Sequence, residues 1–210
     1  MRQRLALIMN GYPATGKTYL TKQLVFLLKK KYKTVTVSTL YFRKKHNLFN
    51  MECDEEREKI YGLLANHVEA IVGSDDFDVL IIDGNFNKRR RRQRLYSILK
   101  DKVVYVIKCV VHDEKVIYAR LVDRRQNHYL HENKAATMEL YNLIKNDDEP
   151  LEDDEPIKQG AIGFIRYNSG TQMVEKVHRS IKDQNKKEII KDILEFLSSK
   201  PDVAGEIPNA

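Results

Sequence analysis

The stretch GYPATGKT, residues 11–18, constrains this chain more than any other feature, because it lies just after the strand-like apolar run LALIM, residues 5–9. It matches the pattern G-x-x-x-x-G-K-[ST] through Gly11, Gly16, Lys17 and Thr18. Glycine conformations let a backbone curl around an oxyanion and aim several N–H groups at it. The lysine can reach terminal phosphates, and the threonine hydroxyl can ligate Mg²⁺. The stretch therefore predicts a loop that binds a nucleoside triphosphate.

The residues that would touch the nucleotide follow from this pattern. The segment KTYLTKQLVFLLKKKY begins in the loop, so a helix there would start with the positive end of its dipole at the phosphates. We expect the phosphates to lie against the whole loop and the first helical turn. The predicted nucleotide-binding residues are Gly11, Tyr12, Pro13, Ala14, Thr15, Gly16, Lys17, Thr18 and Tyr19.

Short apolar runs alternate with amphipathic segments along the chain, and the runs are rich in β-branched residues. Strands of a parallel sheet covered on both faces have this composition. The alternation predicts an α/β fold, the P-loop NTPase three-layer fold with a mainly parallel five-stranded sheet. We expect one domain over residues 1–200 and a flexible tail at 201–210. The predicted strands lie at residues 5–9, 34–38, 77–83, 102–111 and 160–167.

Composition narrows the class of protein. The chain has 210 residues, of which 42% are apolar, enough for a substantial core without disulfide bonds. Its two cysteines, Cys53 and Cys109, have no metal-ligand spacing and favour a reducing compartment. The apolar runs are too short to span a membrane. The sequence therefore predicts a cytoplasmic protein with no membrane partner.

The net charge of +7 is concentrated in one place. Residues 88–94, KRRRRQR, carry six positive charges, and residues 147–155, DDEPLEDDE, carry seven negative charges. The basic block predicts either a solvated helix face or contact with a polyanion such as RNA or DNA. The acidic segment predicts a solvated connector or, alternatively, an electrostatic plug folded over the basic block.

The end of the third predicted strand separates classes of P-loop protein. The strand ends IIDGN, so Asp83 can hold the magnesium shell but no glutamate follows it to activate water. The D-x-x-G and N-K-x-D motifs expected of a GTPase are not present at suitable positions. These features favour phosphoryl transfer to an alcohol over hydrolysis.

Four motifs, in order over roughly residues 3–170, resemble those of P-loop kinases of the polynucleotide-kinase-like group. They are GYPATGKT, VSTLYFR, IIDGNFNKRRRR, and ARLVDRR followed by MELY. That group includes phage-type 5′-hydroxyl polynucleotide kinases and seryl-tRNA kinases, and zeta-type toxins and adenylylsulfate kinases are similar to it more distantly. The resemblance implies binding of ATP and Mg²⁺, transfer of the γ-phosphate to a hydroxyl acceptor, and a helical lid at about residues 115–146.

The resemblance also implies roles for single residues. Asp83, with Thr18, would hold Mg²⁺, and Lys17 and Asp83 would be catalytic. Arg120 and Arg124 lie four residues apart on one face of the predicted lid helix. In the family such arginines close over the β- and γ-phosphates and stabilise the charge of the transition state.

Four further residues would contact the acceptor. Asn85 or Asn87, in the turn after strand three, could hydrogen-bond the acceptor or a neighbouring loop. Arg43 matches an arginine that contacts the acceptor's phosphate in the family. One or two arginines follow the strand-three turn in the family, and Arg90 is the counterpart here.

The sequence departs from the family at Leu40, where the family has the aspartate that takes the acceptor's proton. Asp83 could serve as the base instead, or Glu52 or Asp54 could move in. Transfer could also proceed without a strong base, because phosphoryl transfer depends mostly on positioning and charge. A degenerate enzyme that binds nucleotide without transferring phosphate is the remaining alternative.

The acceptor itself stays open. A nucleic-acid end, a tRNA and a phosphorylated small molecule all fit the predicted site. Two other function classes compete: a nucleotide-dependent switch or ATPase, and a nucleic-acid-binding module that uses only residues 88–94. His128 and His131 in the lid are interpreted as polar loop residues, since no third metal ligand accompanies them.

Overall fold

The computed structural model describes residues 4–126, 137–179 and 187–199. Helices and strands alternate along most of this length, as the apolar periodicity predicts. The strands are β1 (Leu5–Asn10), β2 (Thr34–Ser38), β3 (Val79–Asp83), β4 (Val103–Val110), β5 (Gly163–Asn168) and β6 (Met173–Arg179). The helices are α1 (Lys17–Leu28), α2 (Thr39–His46), α3 (Asp54–Ser74), α4 (Arg89–Ile98), α5 (Glu114–Gln126), α6 (Met138–Asn146), α7 (Glu155–Lys158) and α8 (Lys187–Ser198).

The strands form one sheet in the order β2-β3-β1-β4-β5-β6. β1 to β5 pair in parallel, whereas β6 pairs antiparallel with β5. The prediction of five strands is therefore wrong by one. β6 lies at the edge of the sheet, and Met173 and Val177 remain exposed there, so no continuous apolar run marks the strand. A bulge between Arg166 and Tyr167 interrupts its pairing with β5.

Two apolar layers, one on each face of the sheet, confirm the predicted three-layer architecture. Side chains alternate across the sheet along β1: Ala6 and Ile8 pack toward the side of α2, α3 and α4, whereas Leu7 and Met9 pack toward α1 and α8. Every residue of β1 is buried. β1 is therefore the centre of the core, and the loop that follows it starts from a rigid position.

The strand order determines which loops become neighbours. β1 lies between β3 and β4, and Met9 pairs with Asp83 in the parallel register. Because the carboxyl ends of parallel strands meet at one edge of the sheet, Asp83 lies beside the loop that follows β1. β2 joins the same edge, with Ser38 paired to Asp83.

A short helix, α2, was not predicted from the sequence. Ser38 at the end of β2 accepts a hydrogen bond from the backbone N–H of Tyr41, which caps the helix. Asn47 ends it in a left-handed conformation at φ 54°. The eight residues of α2 include only one buried side chain, Phe42, so the apolar pattern is too weak to predict the helix.

The acidic segment, residues 147–155, packs against the basic block, residues 88–94. Asp147 pairs with Lys88 at 2.5 Å, and a carboxylate oxygen of Glu149 accepts from the backbone N–H of Arg89 at 2.6 Å. The prediction of a fully solvated connector is wrong, and contact between the two segments is confirmed.

Arg92 ties α4 to the acidic segment from inside the protein. Its side chain is 1% exposed and donates to both carboxylate oxygens of Glu155, at 2.6 and 2.7 Å. It also donates to the backbone carbonyls of Phe86 and Glu149, both at 2.9 Å. A buried charge needs such partners, because without them its desolvation would be very unfavourable.

Among the residues that the structure describes, no helix combines the length and the apolar character needed to cross a membrane.

We expect Arg92→Met to lower the free energy of unfolding by about 3–5 kcal/mol, because it leaves the carboxylate of Glu155 buried without its partner. Urea denaturation measures the change. Arg89→Met, at an exposed position of the same helix, is the control and should change the value by less than about 0.5 kcal/mol. A loss at Arg92 as small as that of the control would contradict the structural role assigned to this side chain.

Candidate functional site

The loop between β1 and α1 has the glycine-dependent shape that its sequence predicts. Gly11 lies at φ 142° and Gly16 at φ 84°, conformations that residues with a Cβ rarely adopt. A Cβ on Gly11 would come within 2.4 Å of the carbonyl oxygen of Cys109, and one on Gly16 within 2.8 Å of the Ser169 hydroxyl. Both glycines are therefore required by backbone shape and by space.

Lys17 and Thr18 begin α1 at the mouth of this loop. The Lys17 amine, on a side chain that is largely buried, donates to the carbonyl of Tyr12 at 2.5 Å, so the lysine folds over the loop. The Thr18 hydroxyl donates to the Asp83 carboxylate at 2.9 Å. Asp83 thus meets the phosphate-type loop, as the sequence predicted from the end of strand three.

Burial sets the electrostatics of Asp83, which is 6% exposed. Burial raises the pKa of its carboxyl group above the usual range, while the charge of Lys17 and the hydrogen bond from Thr18 act in the opposite direction. The hydroxyl and the carboxylate are hard oxygen ligands, which Mg²⁺ prefers. Thr18 and Asp83 therefore fit the role of holding Mg²⁺, directly or through its waters.

A cavity of about 390 Å³ opens beside Lys17 and extends to the ends of β2 and β3. The described charged residues of its lining are five cations and one carboxylate, so it favours anions. These are Lys17, Lys22, Arg43, Arg57, Arg91 and Asp83. Further lining residues include Pro13, Ala14, Gly16, Thr18, Tyr19, Ser38, Thr39, Leu40, Asn85 and Asn87.

Arg43 lies in the wall of this cavity, in the last turn of α2. Its Nε atom is buried and has no hydrogen-bond partner in the part of the chain that the structure describes. Burial also lowers the pKa of its guanidinium group. A desolvated cation without an acceptor for its N–H group is the arrangement that an incoming anion would complete.

Two further arginines line the cavity, and sequence reasoning did not single them out. Arg57, on α3, donates to Asp54 at 3.1 Å and to the carbonyl of Met51 at 2.8 Å. Arg91, on α4, donates to Glu58 through Nε at 2.9 Å. Their positions in the sequence do not reveal that they line the cavity, because they reach it only through the packing of α3 against α4.

Three hydrogen bonds, made by two side chains, hold the turn after β3. The side-chain amide of Asn10 donates to the carbonyls of Asn85 and Phe86, and the Tyr61 hydroxyl accepts from the backbone N–H of Asn85. Phe86 is buried at φ 43°, a strained conformation for a residue with a side chain. Asn85 and Asn87 both reach the cavity lining, although the Asn87 side-chain oxygen already accepts from Arg91 at 2.8 Å.

Arg90 does not line this cavity. It is exposed on α4, pairs with Glu58 at 2.8 Å, and lies at the rim of a neighbouring groove between α3 and α4. The structure therefore does not bring Arg90 to the main cavity, and its contact with an acceptor stays a prediction. Helical geometry turns Arg91 inward in its place, since adjacent residues of a helix point about 100° apart.

Arg120 contacts both the phosphate-type loop and the turn between β5 and β6. Its guanidinium donates to the carbonyl of Ala14 at 3.0 Å and to the hydroxyl and carbonyl of Ser169 at 2.8 and 2.9 Å. The Ser169 hydroxyl in turn donates to the carbonyl of Thr15 at 2.8 Å. In this arrangement Arg120 fastens the loop to the turn between β5 and β6. The side chain of Arg124 lies outside the described residues.

The predicted lid corresponds to α5 and α6. Leu140 and Ile144 of α6 contribute apolar wall to the cavity. Residues 127–136, with His128 and His131, lie outside the described residues, as do residues 201–210.

The acidic segment reaches the same loop. The Tyr12 hydroxyl donates to the Asp148 carboxylate at 2.7 Å, and burial together with this carboxylate raises the pKa of Tyr12. Burial also raises the pKa of Asp148. The end of α6, the phosphate-type loop and the start of α4 are thereby connected through residues 147–155.

Several solved structures share this fold. Kti12 of Chaetomium thermophilum, in complex with ADP-AlF3, matches with a TM-score of 0.61 at 15% identity, covering 78% of this chain and 89% of Kti12. A sugar kinase from a Janibacter species matches at 0.56 and 16% identity, covering 93% and 92%. The PezAT toxin–antitoxin system of Streptococcus pneumoniae matches at 0.58 and 14%, covering 94% and 79%. At these identities the matches establish a common fold.

No curated protein matches the chain. The AAA_33 family model, described as an AAA domain, matches residues 7–143, which is more than half of the sequence. This match includes the phosphate-type loop, the ends of β2 and β3, α5 and the first six residues of α6. It confirms the resemblance to P-loop kinases on which the sequence interpretation rests. The chain belongs to the AAA domain family of P-loop, kinase-like proteins.

Proposed function

We propose that this protein is an ATP-dependent phosphotransferase that moves the γ-phosphate of ATP to a hydroxyl group of an anionic acceptor. One observation carries the proposal: Lys17, Thr18 and Asp83 share a single cavity with Arg43, whose buried Nε lacks a partner in the described residues. A protein that only hydrolysed ATP would need water at this position, whereas a desolvated cation beyond the phosphate loop suits an anionic acceptor.

Each described residue has a distinct task in this reaction. The loop N–H groups and Lys17 hold the β- and γ-phosphates, and Thr18 and Asp83 hold Mg²⁺, which neutralises charge on the phosphates. Arg43 binds an anionic group of the acceptor and orients its hydroxyl toward the γ-phosphorus. The hydroxyl oxygen bonds to that phosphorus, the bond to the bridging oxygen breaks, and ADP leaves. Positioning of this kind accounts for most of the acceleration in phosphoryl transfer.

Asp83 is the best candidate for the proton acceptor. Among the described residues that line the cavity it supplies the one carboxylate, so in its ionised form it can accept the proton of a hydroxyl bound there. Glu52 and Asp54 do not line the cavity, and the hydrogen bond from Arg57 holds the pKa of Asp54 below its usual value. Asp83 would therefore take the proton that the family's aspartate takes at the position of Leu40.

A nucleotide-dependent switch is the second candidate function. Leu40 favours it, because this apolar side chain lines the cavity where the family has its proton acceptor. Such a protein would bind ATP in the same loop and leave every acceptor unlabelled.

We expect Lys17→Ala to weaken binding of Mg²⁺·ATP about ten- to a hundredfold, because a charged hydrogen bond to phosphate contributes about 1.5–3 kcal/mol. Isothermal titration measures the affinity. Lys30→Ala, at an exposed position beyond the end of α1, is the matched control and should leave the affinity unchanged. Equal affinities for the two variants would remove the basis of the proposed function.

Labelled γ-phosphate should appear in an anionic acceptor when the protein is incubated with candidate compounds or with fractions of a cell extract. Arg43→Ala should lower kcat/KM for that acceptor about ten- to a hundredfold and leave ATP affinity intact, because Arg43 lies away from the loop. Arg43→Lys should restore part of the loss. Transfer to uncharged sugars alone would contradict the role of Arg43, and no transfer to any acceptor would favour the switch.

Asp83→Asn should stabilise the free protein while abolishing Mg²⁺-dependent ATP binding. The folded-state pKa of Asp83 is raised, so its ionisation opposes folding at any pH above that value. The gain should be absent below about pH 4, where the carboxyl is protonated in both folded and unfolded states, and should grow as the pH rises through the folded-state pKa. Thermal denaturation from acidic to neutral pH measures it, and a loss of stability at pH 7 would contradict the argument.

A further inference from the structure

A second recess lies next to the proposed acceptor cavity, in the groove between α3 and α4. It measures about 190 Å³. Its described apolar lining is made by Tyr61, Leu64, Ala65, Phe86 and Leu95. Leu64, Phe86 and Leu95 are almost fully buried beneath the groove, so the partly exposed ring of Tyr61 supplies the surface on which a flat ring could stack.

The rim of the groove is cationic. Among the described charged residues that line it, three are arginines and one is a glutamate, Glu58, which pairs with Arg90 and Arg91. Asp54 approaches these two arginines at 3.9 Å from outside the lining. Arg94 donates instead to the neutral side-chain oxygen of Asn66 at 2.7 Å. A positive charge therefore remains at the end of the rim that Arg94 forms.

The groove and the acceptor cavity share a wall. Tyr61 and Arg91 line both, and the Arg91 guanidinium stacks on the Tyr61 ring at 4.1 Å from its centroid. This stacked pair therefore separates the groove from the cavity that Arg43 and Asp83 line. A molecule held in the cavity could continue past this stacked pair into the groove.

Gly62 keeps the groove open. It lies in the interior of α3, where glycine is among the least favourable residues for a helix. A Cβ at this position would find the Nη1 atom of Arg94 nearest, at 4.0 Å, which is an ordinary contact distance. Packing does not require glycine here, but a long side chain would occupy the space that the groove offers.

We propose that the groove between α3 and α4 is a subsite for the second nucleotide of a single-stranded nucleic-acid acceptor, with the base against Tyr61 and the phosphate toward Arg94. A polymeric acceptor would then place its terminal hydroxyl in the main cavity. The inference rests on the proposed function, because it assigns the acceptor of that same site. Base stacking on aromatic rings and contacts of arginine with phosphate are the two elements of single-strand binding.

Gly62→Leu tests the subsite, because it fills the groove without removing any contact. The probes are short fluorescent oligonucleotides of RNA and of DNA with 5′-hydroxyl ends, and the readout is binding by anisotropy without ATP. We expect affinity to fall about tenfold or more, while ATP affinity and the melting temperature do not fall. Gly73→Leu, at an exposed position of the same helix with no atom within 4 Å, is the control and should bind as the wild type does.

Arg94→Ala provides a second, milder variant. It should lower the dependence of the logarithm of affinity on the logarithm of salt concentration by about one, which a purely structural role would not do. Equal oligonucleotide affinities for Gly62→Leu and wild type would overturn the subsite even if phosphoryl transfer occurs. So would a wild type that binds no oligonucleotide of either kind, and labelling of a small phosphorylated acceptor would then leave the proposed function standing alone.

Discussion

The hydrogen bond from the Thr18 hydroxyl to the Asp83 carboxylate is the contact on which the rest of the site depends. It joins the loop after β1 to the end of β3, and it exists because these strands pair with Met9 opposite Asp83. A shift of one residue in that register would turn Asp83 toward the other face of the sheet. Burial of all six residues of β1 prevents such a shift, so the hydrophobic core fixes the geometry of a polar centre.

Much of this arrangement could be predicted from the sequence, and the exceptions have physical reasons. The phosphate-type loop and Asp83 were found because they depend on local backbone conformation and on the end of a buried strand. Arg57 and Arg91 were missed because they reach the cavity only through the packing of α3 against α4. Arg91 faces the main cavity and Arg90 does not, which a run of four arginines cannot reveal from its sequence alone. β6 was missed because an exposed edge strand needs no apolar run.

The arginines of the basic block have different roles. Arg92 is fully engaged by Glu155 and by backbone carbonyls, so its charge contributes to the fold. Arg91 faces the cavity with its charge partly balanced by Glu58, and Arg90 remains exposed. The six positive charges of the basic block consequently say little about nucleic acid by themselves, because the acidic segment of the same chain pairs with Lys88 and Arg92.

The hydrogen-bond partners of a buried cation indicate whether its charge stabilises the protein or is available to bind a ligand. A buried guanidinium is unfavourable unless acceptors surround it, and selection for stability alone would supply them, as it does for Arg92. Arg43 is substantially desolvated and its Nε has no partner among the described residues, although Asp83 lines the same cavity. Its unfavourable environment is tolerable if an anion supplies the missing acceptor in the functional state. The same reasoning applies to Gly62, an unfavourable helix residue where packing leaves room for a side chain. Arg43 gives up stability in the acceptor cavity, and Gly62 does so in the groove that shares a wall with it.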